Sequence, residues 1–163
     1  MAVINRRLVL LAPLLLALPA TAQQRWARYT NPKYGTSAEY PADLMQADAE
    51  PDARDGRTFR TPDGAALAIF GQFNVLSATP RSLEQDKRGE DDYREITYSS
   101  RGPNWFVLSG FRELEDGRHV FYEKYQFSAD GGTIHALVLV YPETEKPRID
   151  PLVRRIAASL KGP

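Results

Sequence analysis

Residues 133–141 (TIHALVLVY) constrain this fold more than any other part of the chain. In an extended chain, Ile134, Ala136, Val138 and Val140 fall on one side, and Leu137 and Leu139 on the other. A strand that is apolar on both sides belongs in the middle of a sheet whose two faces are both covered. Residues 57–60, 65–75, 93–99, 104–112 and 119–128 read as its companion strands, because β-branched and aromatic residues alternate with polar ones. Turn signals separate them: Pro62-Asp63-Gly64, Arg101-Gly102-Pro103, Asp116-Gly117 and Asp130-Gly131-Gly132. Within 65–75, Leu67, Ile69, Phe73 and Val75 share one face and are expected in the core. Residues 26–30 and 35–40 read as two more strands joined by an Asn31-Pro32 turn. Residues 42–54, rich in Ala, Asp and Pro, read as a loop with one short helical turn.

Two helices supply the cover. Thr79 suits an N-cap, Pro80 a first helical position and Gly89 a C-terminal stop. Only Leu83 between them is clearly apolar, so this helix packs shallowly. Near the C-terminus, Ile149, Leu152, Val153, Ile156, Ala157 and Leu160 recur at the spacing of one apolar helix face. Asp150 reads as its N-cap and Pro151 as its first residue, with basic side chains in the last turns to complement the dipole. The expected class is α+β: an α/β/α sandwich with a central, mostly antiparallel sheet of about six to seven strands and the C-terminal helix packed on it.

The first residues read as an address. Arg6 and Arg7 precede an apolar run over residues 8–18, and Pro19-Ala20-Thr21-Ala22 offers a small-residue cleavage site. The run is too short, and too interrupted by proline, to span a bilayer, so residues 1–22 are a cleavable signal peptide and 23–163 a single domain. The chain has no cysteine, which excludes a disulfide, a thiol nucleophile, Cys-ligated zinc and a lipidated cysteine. Lys+Arg and Asp+Glu both number 21, so no basic bias points to nucleic acid. A monomer in the periplasm or outside the cell, with no membrane anchor in the mature chain, is expected.

Residues 29–41 (YTNPKYGTSAEYP) resemble the opening of PsbP-like domains, roughly Y-x-N-x-x-x-G-F-x-x-x-Y-P, with Thr36 where an aromatic or apolar residue is common. Residues 55–59 (DGRTF), 105–110 (WFVLSG), 121–124 (FYEK) and 156–160 (IAASL) resemble secreted proteobacterial relatives with that Mog/PsbP-type fold. The resemblance implies an α/β/α sandwich. Its members include photosystem-associated proteins of thylakoid lumens and a Ran-binding nuclear protein. It implies action by protein binding, with no shared catalytic triad or cofactor motif, and function does not follow from fold alone.

Candidate chemistry is sparse. His119 and His135 lack a metal-site spacing. Ser109 lies before Gly110 in a strand, outside any nucleophile elbow, and the glycine reads as a close approach or bulge. Asp52, Asp55 and Asp63, with the acidic run 90–92, are weak calcium candidates, although Asp-Gly is also ordinary turn chemistry. Two carboxylates could act in glycoside hydrolysis, but nothing selects a pair. Strands that interleave aromatics with charge suggest a partner-binding sheet face, with Arg57, Arg94, Trp105 and Tyr122 as anchors. The expected function is a non-catalytic domain, without cofactor, that binds a protein partner of the cell envelope. The alternatives are a small-ligand or calcium-binding module using the acidic loops, and a hydrolase.

Overall fold

The computed structural model describes residues 24–90 and 94–163. The signal peptide expected at residues 1–22 lies outside the described residues, as do Asp91, Asp92 and Tyr93. The chain runs through β1 (Trp26–Thr30), β2 (Ser37–Pro41), β3 (Gln46–Ala47), β4 (Gly56–Arg60), β5 (Ala66–Phe73) and helix α1 (Pro80–Gly89). It continues through β6 (Arg94–Arg101), β7 (Trp105–Leu114), β8 (Gly117–Phe127), β9 (Thr133–Pro142), a 3-10 turn (Glu143–Glu145) and helix α2 (Lys146–Ser159). Seven strands pair in the order β3-β4-β5-β9-β8-β7-β6, and every neighbouring pair is antiparallel. The doubly apolar strand β9 is the middle one, as its pattern requires. β1 and β2 form a separate hairpin.

Two cores lie on opposite faces of the sheet. On the front, Leu67, Ile69, Leu137, Leu139 and Val120 meet Ile149, Ile156 and Leu160 from the α2 region. The hairpin closes the β4 end of this face, where Tyr40 stacks on Phe59 at 4.1 Å and Tyr29 meets the same ring edge-on. On the back, Phe106, Leu108, Phe121, Tyr125, Phe127 and Ile134 pack with Leu83 of α1. This is the expected α/β/α sandwich. Among the described residues, no helix is long and apolar enough to cross a membrane.

The helix ends differ from the sequence reading. α1 has its Thr79 capping box, completed by Ser82, but Glu90 after Gly89 stays right-handed, so the glycine is no left-handed stop. The buried residue of α1 is Glu84, which pairs with Arg88 at 2.8 Å and with Arg101 of β6 at 3.0 Å. The helix is therefore docked by the Glu84–Arg101 ion pair as well as by Leu83. α2 begins at Lys146, with Glu145 at its N-cap position and Pro151 inside. The 3-10 turn leads the chain directly into helix, so no cap is needed at Asp150, which instead accepts from the Tyr141 hydroxyl and pairs with Lys146. No basic residue occupies the last turn of α2. Its cations come from other elements: Lys124 donates to the Ala157 carbonyl at 2.8 Å, and Arg28 to the Ser159 carbonyl at 3.2 Å.

Two strand readings also change. Residues 42–54 contain the expected single helical turn (Met45 N–H to the Pro41 carbonyl), but also β3, which pairs with β4. Phe73 and Val75 share the parity of Leu67 and Ile69 yet are 60 % and 82 % exposed. The front cover ends at Tyr34 of the hairpin, whose ring only meets Phe73 edge-on, so the periodic pattern outruns the roof.

Gly110 is a close approach, as expected. A Cβ there would fall 1.8 Å from the Glu95 carbonyl oxygen, where the β6–β7 register slips between Ile96 and Tyr98. Gly110→Ala should therefore destabilise the domain by roughly 2 kcal/mol or more, because backbone must move. Ile156, 1 % exposed, is the second test. Ile156→Asp should cost about 3 kcal/mol or more by burying a charge. Urea denaturation of both variants checks these values, and wild-type midpoints would refute the packing described.

Candidate functional site

The front cover is shorter than the sheet. α2 and the hairpin lie over β4, β5, β9 and part of β8. Beyond them, β8, β7 and β6 present a strip in which Tyr122, Ser109 and Tyr98 stand side by side in register. The next row is Lys124, Val107 and Ser100, and the next is Gln126 and Trp105. These residues share a face because antiparallel partners project together and the strand period is two. Ser109 is small, so the row forms a shallow trough between two tyrosines. Val107 is buried at its floor, Trp105 and Tyr122 are half-buried, and Tyr98 is 55 % exposed.

Of the residues in these three rows, Lys124 alone is charged. Burial pushes the Tyr122 phenol up to about 12, and the neighbouring Tyr98 phenol adds to this. Lys124 is held at the α2 terminus by the Ala157 carbonyl, and burial lowers its pKa. Its ammonium stands 5.9 Å from the Trp105 ring centre. A second cation stands at the far margin, where Arg118 lies 4.0 Å over Phe111. The surface therefore offers aromatic area, hydroxyls and little charge, the composition of a protein-contact core.

The four proposed anchors do not converge. Trp105 and Tyr122 lie in the strip. Arg94 is on the back face, its side chain only 5 % exposed, paired with Glu123 at 3.0 Å and lying 4.1 Å from the Phe121 ring centre. It also donates to the Lys87 carbonyl of α1. Beside it, the Tyr125 phenol is raised, first by burial and then by the Glu123 charge. Arg57 is at the other end of the sheet, where its Nε donates to the Asp48 carbonyl beside a cleft of about 270 Å³. Tyr98 was not among the anchors. The signal for it was the alternation of β6 itself, but sequence does not say which face of an edge strand stays uncovered.

The reactive side chains are engaged separately. Ser109 donates its hydroxyl to the Phe121 carbonyl at 2.8 Å. His119 and His135 are on opposite faces of the sheet: His119 Nδ1 meets the Gly117 carbonyl, and His135 Nδ1 meets Thr36 Oγ1 at 2.7 Å. Asp52 and Asp55 precede β4, whereas Asp63 follows it and pairs with Arg148 at 2.8 Å. Among the described residues, no three His, Asp or Glu side chains are grouped to hold a metal.

Comparison with known proteins gives a fold. No protein-family model matches the sequence, and no curated protein matches it. Among solved structures, the chain is similar to the solution structure of cyanobacterial PsbP (CyanoP) from Synechocystis sp. PCC 6803. The TM-score is 0.59, the identity 14 %, and the match covers 91 % of this chain and 99 % of that one. The fold is PsbP-like, as the motifs of the hairpin suggested.

The two classes of anchor should separate on mutation. Arg94→Ala leaves Glu123 buried and unpaired and should cost about 3 kcal/mol. Tyr98→Ala removes an exposed side chain and should cost within about 1 kcal/mol. Urea midpoints of the two variants measure this difference, and equal losses would contradict the placement of Arg94 inside and Tyr98 outside.

Proposed function

We propose that this chain is a secreted, monomeric, non-catalytic domain that docks a protein partner of the cell envelope on the open strip of its front face. One observation carries the reading: a trough of little charge between Tyr98 and Tyr122, with Trp105 in the same strip, on the half of the sheet that α2 and the hairpin leave uncovered. Tyrosine and tryptophan on a rigid sheet give large contact area at low conformational cost, which suits interface anchors. The PsbP-like fold supports a binding role rather than a catalytic one. Residues 1–22 supply export, and the mature domain begins at Gln23.

Site-directed photo-cross-linking in the native envelope tests this. A photo-reactive side chain at Tyr98 should give one discrete cross-linked species, whereas the same group at Arg81, exposed on α1, should not. Trp105→Ala should weaken capture of that species by roughly tenfold or more, the scale of an interface anchor. Equal cross-linking at both positions, or none while the protein is folded and abundant, would overturn the proposal.

A further inference from the structure

A second feature lies on β9, in the row that continues from Trp105 and Gln126 of the strip. His135 is 1 % exposed, and its ring joins three parts of the chain. From β9 its Nδ1 reaches Thr36 of the hairpin at 2.7 Å. Its Nε2 faces Gly162, so closely that a Cβ on that glycine would fall 2.1 Å away. This Nε2 is buried and has no hydrogen-bond partner. The segment carrying Gly162 is tied to the hairpin by two main-chain bonds of 2.8 Å, between Ser37 and Lys161 in both directions. Beside it opens a cleft of about 340 Å³, lined by Tyr34, Ser128, Asp130, Thr133, His135 and Pro163.

We propose that His135 is an acid-sensitive latch: its neutral ring lets residues 160–163 close over the end of the sheet, and its protonation releases them and opens the cleft. In the closed form one ring nitrogen bonds Thr36 and the other is unpaired but carries no net charge. Adding one proton makes both nitrogens donors and leaves a charged N–H buried against Gly162 without an acceptor, which is costly.

The surroundings do little to offset that charge. β5 contributes Gly71 opposite the ring, and β8 contributes the uncharged Gln126. Lys124, next on β8, is cationic and held by Ala157. The hairpin brings Tyr34, with Lys33 over its ring, and the terminal segment brings the exposed Lys161. Asp130 is the acid across the cleft, but its Oδ1 is bonded by Ser128 and by the Gly132 N–H. Burial accordingly holds the His135 pKa below its ordinary value. Above the ordinary value of about 6.5, closed and open forms are both neutral and the latch keeps its full strength. As pH falls below it, the open form takes up a proton that the closed form refuses, so closure weakens.

Amide hydrogen exchange between about pH 7.5 and pH 5, corrected for intrinsic rates, reads this directly. Protection of the Ser37 and Lys161 amides should fall by roughly tenfold as the open form takes up its proton, while the β8 and β9 amides keep theirs. His135→Gln should retain protection at both pH values. If that variant does not fold, NMR titration of the wild type decides: the His135 ring and the Lys161 amide should share one midpoint. Unchanged Lys161 protection at the acidic pH, different midpoints, or loss of protection throughout the sheet would each overturn the latch. None of these readouts depends on the open strip or on a partner.

Discussion

A strand apolar on both faces has to be roofed twice, and the rest of this structure follows from how that is done. β9 occupies the centre of seven strands, so both of its faces are covered. The front roof is α2 and the hairpin; the back roof is α1. Each helix is short, and the sheet is wide. Burial is therefore deepest over β9 and thins toward β6, where the residues from Thr97 to Ser99 are all exposed. The open strip is the part of the front face that cover does not reach, which is why aromatic side chains can stand there half in water.

Where apolar area runs short, buried charge helps to fasten the roofs. α1 offers only Leu83 to the back core, and is held besides by the Glu84 pair with Arg101 of β6 and by Arg94 bonded to its Lys87 carbonyl. α2 ends without a basic residue of its own, and its free carbonyls are met by Lys124 from the sheet and Arg28 from the hairpin. Such pairs are weak sources of net stability, but removing one partner is costly, so they favour one arrangement over its neighbours. Lys124 has a further consequence. By fixing the end of α2 it also fixes the border of the strip that contains Trp105 and Tyr122.

The fold class and the central place of β9 were readable because they depend on local pattern. The alternation of β7 and β8, the Asp-Gly turns and the two-sided burial of β9 each act within a few residues. The misread positions depend on distant neighbours. Pro151 looks like a helix start until the 3-10 turn before Lys146 is known to lead into helix. Phe73 and Val75 keep the core parity of Leu67 and Ile69, but nothing local reports that the roof has ended. Arg94 and Tyr122 look alike as charged or aromatic members of alternating strands. One is buried against Glu123 and the other borders the open strip. Thr36 departs from the resembled pattern, and its partner is His135, far away in sequence.

By itself, the sequence determined that this chain builds a covered antiparallel sheet with β9 at its middle, and that it does so without disulfides. Periodicity, turn chemistry and composition are properties of the covalent chain and survive without a partner element. Tertiary structure alone decided which half of the front face stays open, which arginine is interior, and which histidine nitrogen is sealed without a bond. Those depend on where a roof of finite length ends, and that length is measured against strands far away in sequence.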